Sequence, residues 1–176
     1  MFGKTPVSTN REGTTPMADW TKKITKAVGG DLAADEQLED GVFLNPAGTT
    51  SGMIGRQAGG LIGAAVAGKI QKNKAATATL VSDAGLAADW PSKPVVVGLT
   101  GRRLLLWSHS QMSGKPKELI GEIPLENVAS FSVEKKKATF DTTITFTDGS
   151  GILLEAPKIA NKPERFAASF SRLTGR

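Results

Sequence analysis

From residue 94 onward the chain reads as a run of short apolar segments punctuated by turn residues. Pro94–Thr100 (PVVVGLT) and Arg102–Ser108 (RRLLLWS) are predicted strands separated at Gly101. Glu118–Ile123, Val128–Glu134, Thr139–Phe146 and Gly151–Ala156 are predicted to follow. His109–Pro116 carries turn residues, and Asp148-Gly149 is a strong hairpin signal. Upstream, Gly41–Leu44 reads as a first strand ended by Asn45-Pro46. Ala76–Val81 is a weaker strand candidate, and Ser82–Pro91 reads as loop.

Helical spacing appears at both ends. Within Met17–Val28, Trp20, Ile24, Ala27 and Val28 fall on one apolar face, with Lys22, Lys23 and Lys26 mostly off it. Gly29-Gly30 stops that helix. Asp31–Asp40 is acidic and predicted helical or turn-like. Near the other end Phe166, Phe170 and Leu173 form a face suited to covering a sheet. Asn161 is the predicted cap, and Glu164 completes a capping-box-like pattern.

One segment fits neither period. Ser51–Ile70 (SGMIGRQAGGLIGAAVAGKI) carries small residues at every fourth position, Gly55, Gly59, Gly63 and Ala67. As a helix from Gly52 to Ile70 it spans about 28 Å, with one flat face that lets another backbone approach closely. Leu61, Ile62 and Val66 surround that face with apolar bulk, so the segment needs cover on more than one side. The glycines make it a poor isolated helix in water, at roughly 1 kcal/mol each against alanine.

The order of elements predicts a mainly β (α+β) protein. It is a bent antiparallel sandwich or barrel capped by a C-terminal helix, with a glycine-rich helical insertion after the first strand. Residues 1–16 are predicted to be a flexible tail, 17–40 an N-terminal helical segment, and 41–176 the main domain with its insertion at 51–74.

Composition narrows the chemistry. The 176 residues include no cysteine, no tyrosine and one histidine, His109. Disulfides and thiolate zinc sites are therefore excluded, and a histidine-based metal site or triad is disfavoured. The net charge of +5 is unevenly placed. Residues 1–30 carry five Lys/Arg against two acids, 31–50 carry five acids and no Lys or Arg, and 51–75 carry four Lys/Arg and no acid. The acidic stretch is placed to mask the two basic ones that flank it. No zinc-finger or basic-aromatic module accompanies the charge, so nucleic acid is disfavoured as a partner. The N-terminus lacks a secretory apolar region, and the apolar run Ala58–Gly68 is shorter than the roughly 20 residues of a membrane span. The expectation is a cytoplasmic protein, membrane-peripheral at most.

Candidate chemistry is sparse. Gly63–Lys69 (GAAVAGK) matches the first seven positions of a phosphate-binding loop. The eighth position needs Ser or Thr for magnesium and holds Ile70. A nucleotide-binding protein is thus the remote alternative, and no cofactor is expected. His109 is expected at the surface, with no nucleophile-elbow motif to serve. Arg102, Arg103, Lys135, Lys136 and Lys137 are the candidate contacts for phosphates or an acidic partner. For the three lysines a solvated hairpin turn is the plainer reading. Trp90 is read either as a contact residue or as a core anchor.

The strand sequences carry a resemblance. VVVGLTGRRLLLW (Val95–Trp107), GEIPLENVASFSV (Gly121–Val133) and TITFTDGSGILLEAP (Thr143–Pro157) resemble the central strands, the next stretch and the final hairpin of bacterial pleckstrin-homology-like (PH-like) domains, themselves similar to GRAM domains. The resemblance runs mainly over Val95–Leu173, and it implies that Glu36–Leu44 is the first strand with its lead-in. It implies a seven-stranded, strongly bent sheet with one open end plugged by the helix. It implies binding to lipid headgroups, peptides or proteins, and no catalysis. The basic pattern of phosphoinositide-binding relatives is missing from the early hairpin, and the glycine-rich insertion is not a general family element.

The expectation is therefore a non-enzymatic binding module. Gly55, Gly59, Gly63, Ala67, Leu61, Ile62 and Val66 would meet a protein partner, a second copy or a membrane. Trp20, Lys22, Lys23, Ile24 and Lys26 offer a basic amphipathic helix to a membrane or partner, although a helix packed on its own domain is the plainer reading. The alternative is a self-contained domain with the glycine-rich segment in its own core.

Overall fold

The computed structural model describes residues 19–49, 79–80, 85–110, 114–159 and 161–176. The glycine-rich segment, with Gly55, Gly59, Gly63, Ala67, Leu61, Ile62 and Val66, lies outside the described residues, as does the tail 1–16.

The protein is mainly β. The strands are β1 (Leu38–Pro46), β2 (Thr79–Leu80), β3 (Val95–Thr100), β4 (Arg103–His109), β5 (Pro116–Pro124), β6 (Val128–Lys135), β7 (Thr139–Phe146) and β8 (Gly151–Pro157). Helix α1 (Trp20–Val28) precedes them and α2 (Pro163–Thr174) follows. Seven strands form one antiparallel path in the order β5-β4-β3-β1-β8-β7-β6. β1 joins the two halves, pairing with β3 on one side and, through Asn45 and Pro46, with β8 on the other. β2 pairs with β8 just beyond β1, at Ile152 and Leu153.

Why Val95–Leu99 and Leu104–Trp107 are continuously apolar is now evident. A strand buried on one face alternates, whereas one buried on both does not. Val95, Val97, Leu99, Leu104 and Leu106 point into a core shared with Ile144, Phe146, Ile152 and Leu154 from the other half, so the path folds back on itself. Val96, Leu105 and Trp107 point the other way, into a second core closed by Trp20, Ile24 and Val28 of α1. β7, by contrast, buries alternate residues and shows its other face to solvent.

Two glycines allow close packing in this second core, Gly41 against α1 and Gly98 against Trp107 of β4. A Cβ on Gly41 would lie 2.5 Å from Ile24 Cδ1, and one on Gly98 would lie 2.6 Å from the Trp107 ring. The Trp107 ring is fixed in turn, because its Nε1 donates to Asp31 at 2.7 Å. Helix α2 closes the main core, with Phe166 and Phe170 at 4.8 and 6.4 Å from Phe131, ring centre to ring centre. It ends at Gly175, whose φ of 69° suits glycine.

Three expectations need correction. Asn161 does not cap α2. It is buried, accepts from the Phe43 N–H at 2.8 Å and donates to the Pro157 carbonyl at 3.1 Å, tying the β8–α2 connection to β1. The helix starts instead on Pro163, whose missing N–H removes one of the unpaired donors of the first turn. The acidic stretch is bend and turn after Asp31, where a 3-10 turn (Gly29–Asp31) ends, but β1 begins inside it at Leu38. Ala27 is exposed and takes no part in the apolar face of α1. Elsewhere the predicted strands Thr139–Phe146 and Val128–Glu134 match β7 and β6 to within one residue.

Candidate functional site

The candidate binding residues that the structure describes fall into three places. The first is the β3–β4 turn. Arg103 grips Glu36 with two donors, Nε at 3.0 Å and a terminal nitrogen at 2.7 Å, and reaches Glu122 with its other terminal nitrogen. The Glu36 side chain is almost wholly buried and also accepts from Thr100 Oγ1 and the Ala33 N–H. The Arg103 hydrogen bond, supported by those of Thr100 and Ala33, outweighs burial and lowers the Glu36 carboxyl to a pKa of about 2. The same contact raises the Arg103 guanidinium. Arg102 pairs with Asp35, both exposed, and its hydrogen bonds hold the Asp35 carboxyl below the usual range. The two arginines expected to meet phosphate are thus occupied by the protein's own carboxylates.

That pairing resolves the acidic stretch. Every acid from Asp31 to Asp40 reaches forward in the chain. Asp31 takes the Trp107 indole, Asp35 takes Arg102, Glu36 takes Arg103, Glu39 takes Arg172 and Asp40 takes Arg165. Among the described residues the cationic partners of these acids lie at the β3–β4 turn, on β4 and on α2, and none of the ion pairs of Asp31–Asp40 goes to Lys22, Lys23 or Lys26. Asp40 is nearly inaccessible and also accepts from Thr21 of α1, Ser169 of α2 and the Gly41 N–H.

The second place is α1. Trp20 and Ile24 are buried against the sheet, so their apolar surface is spent there. Lys22 and Lys26 are exposed, and the Lys23 ammonium sits 4.5 Å from the centre of the Trp20 ring. His109 is not a plain surface histidine. It is half-buried, with its ring 4.5 Å from that of Phe43 and 6.2 Å from that of Trp20. Burial, then the Lys23 charge, holds its pKa below the ordinary value. Trp90 is a core residue at 6% exposure.

The third place is the β6–β7 turn, where Lys135, Lys136 and Lys137 are all exposed. Lys136 pairs with Glu134 and Asp141, and the Glu134 hydrogen bond chiefly raises its pKa. Lys135 and Lys137 enter no ion pair among the described residues. Sequence reasoning missed Lys158 here. Its Nζ donates to the carbonyls of Lys136 and Lys137, fastening the β8–α2 connection onto the turn. A lone lysine after a strand gives no sequence signal for such a role.

Among the described residues no group of three or more His, Cys, Asp or Glu could hold a metal ion, and no helix is long and apolar enough to cross a membrane. No protein-family model matches the chain, and no curated protein matches it significantly.

Proposed function

We propose that this chain is a non-enzymatic binding module of the PH-like type. It meets a protein partner, a second copy of itself or a membrane surface, and the glycine-rich segment supplies the close contact. The observation that carries the reading is the seven-strand antiparallel path folded around one core and closed by α2. A seven-stranded sheet plugged by a terminal helix is what the sequence resemblance implies for such modules, and this path supports that reading. The engagement of Arg102 and Arg103 by carboxylates argues against simple headgroup recognition at that turn and leaves the inserted segment as the distinguishing part.

Light scattering and vesicle flotation on the intact chain and on the Gly59→Leu/Gly63→Leu variant test this. The expected result is a folded variant with reduced mass or reduced flotation. A folded variant with both unchanged sinks the contact. Unfolding by overpacking, at about 1–3 kcal/mol per site, would place the segment in the protein's own core.

A further inference from the structure

We propose that the end of the molecule formed by the β6–β7 turn and the β8–α2 connection is a docking tip for an anionic lipid surface. Two loops build it. The turn supplies Lys135 and Lys137, both exposed and unpaired among the described residues. The connection supplies Ile159 and Lys162, also exposed, with Lys162 likewise in no ion pair among the described residues. Ile159 is 91% accessible, far more than Leu119 or Ile120, the other large exposed apolar residues among those described.

A single exposed isoleucine is ordinary on a protein surface. This one differs in its setting. It stands between Lys158 and Lys162, beside a turn of three lysines. The tip is also preorganised. The Lys158 N–H donates to the Ala138 carbonyl at 3.4 Å, and its Nζ bonds the carbonyls of Lys136 and Lys137. Asn161 anchors the far side of the connection to β1. Two loops held together in this way present their lysines and Ile159 with less ordering cost on binding than free loops would.

The chemistry favours a membrane over another polyanion. Lysines near an anionic leaflet each change partitioning by about fivefold. An apolar tip between them enters the headgroup–acyl boundary, where its transfer from water adds to that attraction. A nucleic acid or acidic protein would use the lysines and leave Ile159 idle. The inference rests on the binding-module reading but uses a different part of the chain from the glycine-rich segment.

Co-sedimentation of the full chain with phosphatidylcholine vesicles, with and without phosphatidylserine, tests it, using heparin as a soluble polyanion. The expected result is binding that needs phosphatidylserine and weakens as salt rises. Lys135→Gln/Lys137→Gln/Lys162→Gln should lower partitioning about a hundredfold, and Ile159→Ser about tenfold. All four positions are exposed, and circular dichroism checks that each variant folds. Absence of vesicle binding by the intact chain overturns the proposal. So does heparin binding that Ile159→Ser leaves intact while vesicle binding also ignores that substitution. If the lysine and isoleucine variants sediment as the intact chain does, but Gly59→Leu/Gly63→Leu does not, the tip is wrong and the module reading stands.

Discussion

Arg103 holds two carboxylates at once, and one of them has nowhere else to go. Glu36 is buried beneath it, so removing the guanidinium leaves an uncompensated charge inside the protein. Arg103→Met should cost about 3 kcal/mol in urea unfolding, whereas Arg102→Met, at an exposed pair, should cost about 0–1 kcal/mol. Glu36 also sets a pH dependence. Its folded pKa of about 2 lies below the ordinary glutamate value, so its contribution is full above that ordinary value and is lost as pH falls toward 2. Glu36→Gln should flatten the stability profile in that window. An unchanged acid limb in the variant would count against the pairing. The arginines show what sequence can and cannot disclose at this scale. Arg102 and Arg103 were visible as a basic pair at a turn, and Asp35 and Glu36 as part of an acidic run. Their mutual capture was not, because partners 67 residues apart in the chain leave no local pattern.

At the scale of elements, the strands were legible wherever hydrophobic runs stood between turn residues. β7 was read at both ends and β6 at its start, because turn residues flank them. The start of β1 was hidden from hydrophobic periodicity, because Glu39 and Asp40 look like solvated helix or turn until their distant partners Arg172 and Arg165 are known. Asn161 misled for a related reason. Its spacing from Glu164 suits a cap, yet β1 offers a backbone N–H that it serves instead. The packing of the Trp107 ring over β3 gives the sharpest prediction. Gly98→Ala would place a Cβ against the Trp107 ring and 2.8 Å from Leu38 Cδ1. The ring is buried and held by Asp31, so it yields little, and the expected cost is about 1–3 kcal/mol. Gly101→Ala, with open space around it, should stay within about 0.5 kcal/mol. Denaturation midpoints of the two variants check this, and equal midpoints would refute the close approach.

Across the whole molecule, Asp40 is where both helices and the sheet meet. It takes two donors from Arg165, at 3.0 and 2.5 Å, and a third from Thr21. Asp40→Asn should cost about 3 kcal/mol and should raise amide hydrogen exchange in α1 and α2 together. Faster exchange in α1 alone would mean that the tie is not shared. Sequence could anticipate a mainly β chain with a helix near either end. It could not anticipate that an aspartate at the start of β1 serves as the fastening for both helices.

The placement of β1 also bears on the order in which the chain leaves the ribosome. β1 is made early, and β3 covers one of its edges once Thr100 has emerged. Its other edge waits for Glu155 and Leu154 of β8. Throughout the synthesis of β4 to β7 that edge keeps its backbone groups unpaired by β8, which is the condition under which strands pair with the wrong neighbour. Stalled nascent chains ending before residue 151 should therefore associate more readily than chains in which β8 is free to close the path.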